Sequence, residues 1–284
     1  MAIETLTIKT KDGLNLDLAR YPGGGARLPA FCIPGLTRNR RDFDDFAKWL
    51  SARGRDVYAI SLRGRGRSDY DPKYLNYFPT IYREDVLGAL DTLGIQRAVF
   101  VGTSLGGIVT MLTNEAAPER VAAAIINDVG PELATEGIVR IASYVGASDG
   151  AAPNLDQAAA QIRAVNEVAF PGKDDAFWRD FARNTYRELG DGTWKLDYDP
   201  AIAAALKESG PAPDLWSAFT SLKNKPTLIL RGAISDLLTP EIIGKMRAVN
   251  PAMLVSDVAS VGHAPTLTEP DAVAAMGAFL DEID

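Results

Sequence analysis

The sequence predicts an α/β fold with a mostly parallel sheet, and three observations predict it. Short apolar runs alternate with helical patterns from residue 30 to 126, the same rhythm returns from 227 to 280, and two strands with a tight turn precede both. Residues 3 to 10 and 14 to 21 alternate polar and apolar side chains around Lys11-Asp12-Gly13, the pattern of an antiparallel hairpin. An apolar run at Ala30 to Ile33 follows, then Pro34-Gly35, then a helical pattern through Asp42, Phe43, Phe46, Ala47 and Leu50. Strands at Val57 to Ile60, Ala98 to Val101 and Val121 to Ile126 are separated by helices near Ile81 to Leu93 and at Leu105 to Ala116. Such alternation places parallel strands beside one another with helices on both faces.

From about 131 to about 220 the rhythm stops: no strongly apolar strand occurs, and stretches rich in Ala and aromatic residues take over. This segment reads as a helical cap inserted after the sixth strand, with residues 1–130 and 221–284 forming the core domain. Tyr144, Phe170, Trp178, Phe181, Tyr186, Trp194, Trp216 and Phe219 fall in it. Most of these rings are expected to form the core of the cap and its contact with the main domain, and part of the surface to line a pocket. A strand at Thr227 to Arg231, a helix from Pro240 to Val249, a strand at Met253 to Val258 and a helix from Pro270 to Leu280 complete the pattern.

Composition narrows the function. A chain of 284 residues with 46% hydrophobic side chains can bury a sizeable core. The 37 acidic against 30 basic residues give a net charge of -7, which argues against nucleic acid as the main partner. The single cysteine, Cys32, lies in an apolar run and has no internal partner for a disulfide, so a reducing compartment is expected. The first ten residues carry no basic start followed by an apolar stretch, and no run is long enough to span a bilayer, so the sequence reads as soluble and cytoplasmic. One histidine and one cysteine cannot supply a usual nitrogen and sulfur ligand set, so no metal is expected, and with neither a G-x-x-x-x-G-K-[ST] sequence nor a strand-linked G-x-G-x-x-G no other cofactor is expected.

The sharpest local feature is Gly102-Thr103-Ser104-Leu105-Gly106, set between a strand and a helix. A serine at such a turn is held in a strained backbone conformation, and glycines two residues to either side remove Cβ atoms that would clash. The turn lifts the hydroxyl clear of the sheet and places it at a helix N-terminus, where unpaired N–H groups stabilise developing negative charge. Serine needs a base, and His263, in the loop Val261-Gly262-His263-Ala264-Pro265, is the only histidine in the chain. The histidine in turn needs a carboxylate. The order serine, acid, histidine selects Asp236, after the strand ending at Arg231, while Asp128, after the strand ending at Ile126, is the rival from a neighbouring strand. For an oxyanion, the backbone N–H of Leu105 and that of Leu36, in the loop Pro34-Gly35-Leu36-Thr37, are the expected donors.

With these motifs in place, the chain resembles the α/β-hydrolase superfamily, and among its members the capped, soluble bacterial esterases and lactonases. The resemblance covers the whole length and includes Ser61-Leu62-Arg63-Gly64-Arg65-Gly66-Arg67-Ser68, similar to the loop that follows the fourth strand in that family. It implies an α/β-hydrolase fold, a small-molecule substrate and hydrolysis of a small carboxylic ester or lactone through an acyl-enzyme. The family usually carries His-Gly before the oxyanion donor, where this chain has Pro34-Gly35. A serine at 104 also sets the chain apart from the haloalkane dehalogenases and capped epoxide hydrolases, which use an aspartate nucleophile.

Other readings stay open at this point. Hydrolysis of a carbon-carbon bond in a diketone-like substrate would use the same three residues, and a fold that has lost its chemistry would leave a binding protein. Arg38, Arg40 and Arg41 follow the oxyanion loop, and Arg63, Arg65 and Arg67 the next strand. They suit an acidic substrate if they face a pocket, but the favoured reading is that they are solvated or paired with Asp42, Asp44, Asp45 and Asp69.

Overall fold

The computed structural model describes residues 2–25, 27–147, 150–209 and 213–283. The chain opens with the hairpin of β1 (Glu4–Lys9) and β2 (Asn15–Tyr21), followed by β3 (Ala30–Ile33), α1 (Asp44–Ser51), β4 (Val57–Ile60) and α2 (Pro79–Thr92). Then come β5 (Ala98–Thr103), α3 (Leu105–Ala116) and β6 (Val121–Asn127). Next are α4 (Thr135–Tyr144), α5 (Leu155–Asn166), α6 (Asp175–Thr185), β7 (Tyr186–Glu188), β8 (Trp194–Leu196), α7 (Ala201–Glu208) and α8 (Leu215–Thr220). The chain closes with β9 (Thr227–Gly232), α9 (Pro240–Val249), β10 (Leu254–Val258) and α10 (Pro270–Asp281).

Eight strands form one sheet in the order β1-β2-β4-β3-β5-β6-β9-β10. The β1–β2 and β2–β4 pairs are antiparallel and every other pair is parallel. The unbroken apolar strands follow from burial on both faces. In β5, Val99 and Val101 point into the cluster completed by Phe46 and Leu50 of α1 and Met276 and Leu280 of α10. Their neighbours Ala98 and Phe100 point the other way, towards Val86 and Leu90 of α2 and Val109 of α3. The same two-residue alternation divides Ile125 from Ile126 in β6 and Leu228 from Ile229 in β9.

The segment between β6 and β9 differs from expectation in two respects. It contains a short antiparallel pair, β7 with β8, whose three-residue strands are too brief to give a period. Its last helix, α8, packs on α3 and buries Ala218 and Phe219 beside Ile242 and Met246 of α9, so α8 belongs with the helices that cover the sheet. As for the rings, Phe170, Phe177, Trp178 and Phe181 pack together, with Phe177 and Trp178 edge to face at 5.1 Å. Among the described residues, no helix is long and apolar enough to cross a membrane.

Candidate active site

The turn after β5 has the conformation its glycines imply. Ser104 sits at φ 52° and ψ -116°, immediately before α3. A Cβ on Gly106 would lie 1.9 Å from the Ile33 carbonyl oxygen, and one on Gly102 would lie 2.3 Å from the Gly106 carbonyl oxygen. Neither position accepts a side chain, because the backbones of β3, β5 and α3 converge on the serine.

His263 comes from the loop between β10 and α10 and stands between two partners. Its Nε2 is 2.9 Å from Ser104 Oγ, and its Nδ1 is 2.8 Å from Asp128 Oδ2. A carboxylate only accepts, so the shared arrangement puts the ring proton on Nδ1 and leaves Nε2 free to take the serine proton. The Asp128 side chain is fully buried and that of His263 is 8% exposed, so water does not screen the contact.

The carboxylate bonded to the ring is therefore that of Asp128 and not that of Asp236, which chain order favours. Asp128, next to the end of β6, is at φ 56° and is held by more than the histidine: its Oδ1 accepts the Gly232 N–H at 2.7 Å, and its Oδ2 accepts the Ser235 hydroxyl at 2.6 Å. Ser235 Oγ in turn accepts the N–H groups of Leu237 and Leu238, so the loop after β9 folds around this carboxylate. Asp236 lies in the same loop but is not hydrogen-bonded to the ring. It is bound in a fork by Arg140 of α4, with contacts of 2.5 and 2.8 Å. The hydrogen bond from Arg140 is the main reason its carboxyl is held below the usual aspartate range.

The two residues expected to supply oxyanion donors, Leu36 and Leu105, both border the space beside Ser104. Gly35 lies against the nucleophile, since a Cβ there would be 3.7 Å from Ser104 Cβ. Among the described residues, neither the Leu36 N–H nor the Leu105 N–H has a hydrogen-bond partner, and both residues border the same cavity as Ser104 and His263. That cavity has a volume of about 490 Å³. Val129, Leu133, Phe170, Phe181 and Ile138, Ile141 and Tyr144 of α4 line it from the segment between β6 and β9, while Leu237 and Leu267 line it from the loops after β9 and β10. Burial pushes the Tyr144 phenol up from its ordinary value.

The arginine clusters are mostly spoken for. Arg38 borders the cavity, but it forms a fork with Asp42, bonds Thr185 and lies 4.2 Å over the Phe181 ring. Arg40 pairs with Asp17 and Arg41 with Asp197, while Arg63 is surrounded by Asp12, Asp71 and Asp85. Pairing was expected, yet apart from Arg38 with Asp42 and Arg63 with Asp71 these partners are acids distant in sequence rather than nearby ones. Two contributors to the site escape sequence reasoning. Asn127 is fully buried and donates its amide to Thr103 Oγ1 at 3.2 Å and to the Pro265 carbonyl at 2.8 Å, tying the serine turn to the histidine loop. Arg140 escapes because nothing in a helical segment announces a partner 96 residues away. For Asn127 a signal exists: Asn127-Asp128 ends a strand that is otherwise wholly apolar. Among the described residues, no group of three or more His, Cys, Asp or Glu could hold a metal ion.

A doubly covered sheet of this strand order, with a serine on a strained strand-to-helix turn hydrogen-bonded to a histidine, defines a class, and comparison with known proteins agrees. The sequence model of the alpha/beta hydrolase family matches residues 30–276, and the chain belongs to that family. The crystal structure of an alpha/beta hydrolase from Novosphingobium aromaticivorans is 38% identical, with a TM-score of 0.92 and 99% of each chain covered. A 3-hydroxybutyrate-oligomer hydrolase from Cupriavidus necator is 31% identical over 86% of this chain and 85% of its own. A 2-(acetamidomethylene)succinate hydrolase from Mesorhizobium japonicum is 26% identical over 89% of this chain and 86% of its own.

Proposed function

We propose that the protein is a serine hydrolase that cleaves small carboxylic esters through an acyl-enzyme on Ser104, with His263 as base and Asp128, rather than Asp236, as the acid that orients it. The observation that carries this reading is the continuous contact from Asp128 through His263 to Ser104, beside two unpartnered N–H groups. As Ser104 Oγ adds to the substrate carbonyl carbon, its proton passes to His263 Nε2 and the carbonyl electron pair moves to oxygen. The Leu36 and Leu105 N–H groups receive that oxyanion. Collapse of the tetrahedral species expels the alkoxide, which takes the proton from His263. Water, deprotonated by the same ring, then attacks the acyl-enzyme and releases the acid.

The cavity supports an ester with an apolar body. Its walls are mainly Leu, Ile, Val and Phe, and Arg38 is already neutralised by Asp42, so an uncharged chain is favoured over a polyanion. The name of the Cupriavidus necator relative, which acts on 3-hydroxybutyrate oligomers, supports ester cleavage ahead of carbon-carbon cleavage. In the same reading the helical segment α4 to α7 serves as a cap, and the protein works as a soluble cytoplasmic enzyme.

The test is labelling of the protein and of its Ser104→Ala and His263→Ala variants with a fluorophosphonate probe. Short esters, lactones and ring-cleavage diketones are assayed in parallel. The expected outcome is labelling only where both residues are present, with ester turnover lost by several orders of magnitude in each variant. Near-parental turnover by Ser104→Ala would refute the mechanism, and turnover of diketones alone would refute the substrate class.

A further inference from the structure

Behind the oxyanion loop lies a guanidinium whose placement the mechanism above does not use. Arg65 is fully buried. Its Nε donates to the Leu36 carbonyl at 2.8 Å, and its Nη1 donates to the Arg63 carbonyl at 2.6 Å and the Tyr82 hydroxyl at 2.8 Å. The guanidinium carbon lies 4.8 Å from the centre of the Tyr82 ring and 5.5 Å from that of Tyr77. Among the described residues no carboxylate pairs with it, and its Nη2 is buried without a partner. Arg63, two residues earlier, has three acids around it. A buried cation left without a counter-ion is costly to keep, because guanidinium does not escape by losing its proton.

The local backbone is shaped to insert this side chain. Gly64 and Gly66, on either side of it, have φ of 75° and 58°. A Cβ on Gly64 would lie 2.7 Å from the Tyr77 ring, and one on Gly66 would lie 2.8 Å from Ser61 Oγ. The turn therefore fits only with glycines in both places, and it drives Arg65 between two tyrosine rings and under the Leu36 peptide.

We propose that Arg65 is a positioning residue for the oxyanion site. It grips the Leu36 carbonyl and so fixes the backbone of Leu36, whose N–H is to stay aimed at the space beside Ser104, and it sets a buried positive charge behind that loop. Fixed charge and fixed donors act most strongly where the charge that develops is negative and water is excluded. Pro34, at the start of this loop, has no N–H with which to brace it, and the brace comes from Arg65 on the far side.

This inference rests on Ser104 being the acyl-accepting nucleophile, so the experiment separates the two. Arg65→Met and Arg65→Lys are prepared and their active sites titrated with the fluorophosphonate. The parental protein's own labelling and the Ser104→Ala control test the underlying reading independently. For Arg65→Met, kcat per titrated site on a p-nitrophenyl ester is expected to fall roughly 10- to 100-fold with KM nearly unchanged, somewhat less than loss of an oxyanion donor itself. Inhibition by a trifluoromethyl ketone, which forms the tetrahedral adduct, should weaken in parallel, while a matched methyl ketone, bound as the ground state, should not. Arg65→Lys keeps the charge but cannot bond Leu36, Arg63 and Tyr82 together, and should fall between the two. A merely structural role would lower the melting temperature and the titrated fraction while leaving kcat per site and the ketone ratio alone. That result overturns the proposal, and if Arg65→Met does not fold, the same ratio in Arg65→Lys decides.

Discussion

The two aspartates are best separated by changing each to asparagine. In Asp128→Asn the side chain keeps its shape but loses its charge, and its amide either turns an N–H towards His263 Nδ1 or gives up one of the three donors that Asp128 now satisfies. Either choice removes the carboxylate that stabilises the imidazolium, and the first also forces the ring proton onto Nε2, where it cannot accept from Ser104. The comparable change in a serine protease lowers kcat about 10⁴-fold, and here the pair is buried to a similar end, so a loss of about 10³ to 10⁴ in kcat is expected. That corresponds to about 4 to 5.5 kcal/mol of lost transition-state stabilisation. Asp236→Asn breaks only the contact with Arg140 and should leave kcat within a few-fold of the parent. The assay is steady-state ester hydrolysis at pH 8 together with the second-order rate of fluorophosphonate labelling, on proteins whose melting curves show them folded. Equal losses in the two variants, or an Asp128→Asn variant within tenfold of the parent, would refute the assignment of the acid.

Three further outcomes follow from the geometry. Gly106→Ala places a Cβ 1.9 Å from the Ile33 carbonyl oxygen, in backbone that cannot yield, so urea unfolding should show a loss of at least about 3 kcal/mol or no folded protein at all. Asn127→Ala leaves the Pro265 carbonyl and the Thr103 hydroxyl without their donor; it should cost roughly 1 to 3 kcal/mol in denaturant unfolding and lower kcat more than it raises KM. The folded-state pKa of Asp236 lies below its unfolded value, so the unfolded chain takes up the proton first as pH falls. Its pairing therefore adds stability above the ordinary aspartate range, and that stability is lost as pH falls through the lowered value. The gap in melting temperature between the parent and Asp236→Asn should be full near neutrality and shrink as pH falls below about 4.

The fold was legible because both faces of the sheet are buried, which writes each strand as an apolar run, and because Ser104 needs glycines that are visible in sequence. His263 needed no geometry, being alone. The acid was not legible to the same degree. Chain order allows either aspartate, and what separates them is a set of contacts from outside their own segment: Gly232 and Ser235 converge on Asp128, while Arg140 draws Asp236 away. The β7–β8 hairpin was hidden by its brevity, and Arg65 by standing in a run of arginines whose members share a composition but not an environment.

The exchange of roles between the two aspartates also bears on how the cavity is closed. A carboxylate on His263 must stay with the ring, so if Asp236 filled that role it could not also bind Arg140. With Asp128 on the histidine, Asp236 is free to fasten α4: it accepts the Arg140 fork, and its backbone carbonyl accepts the Gly137 N–H at 3.0 Å. A Cβ on Gly137 would come within 2.8 Å of that carbonyl oxygen, so the helix sits directly on the loop. On the opposite wall, Asn39 donates to the Asn184 carbonyl, and Arg41 bonds the Asn184 and Tyr186 carbonyls as well as Asp197. On the α4 side the side-chain tie is this one ion pair, part-way open to solvent with side chains 16% and 29% exposed, and the other ties are backbone bonds from Gly137 and from Ala134, which donates to the Leu237 carbonyl at 3.0 Å. If long-chain esters enter past α4, breaking that pair with Arg140→Ala should change KM for them more than kcat for short ones; added salt should produce the same trend in the parent and little in the variant. An unchanged KM across chain lengths in Arg140→Ala would show that substrates enter by another route.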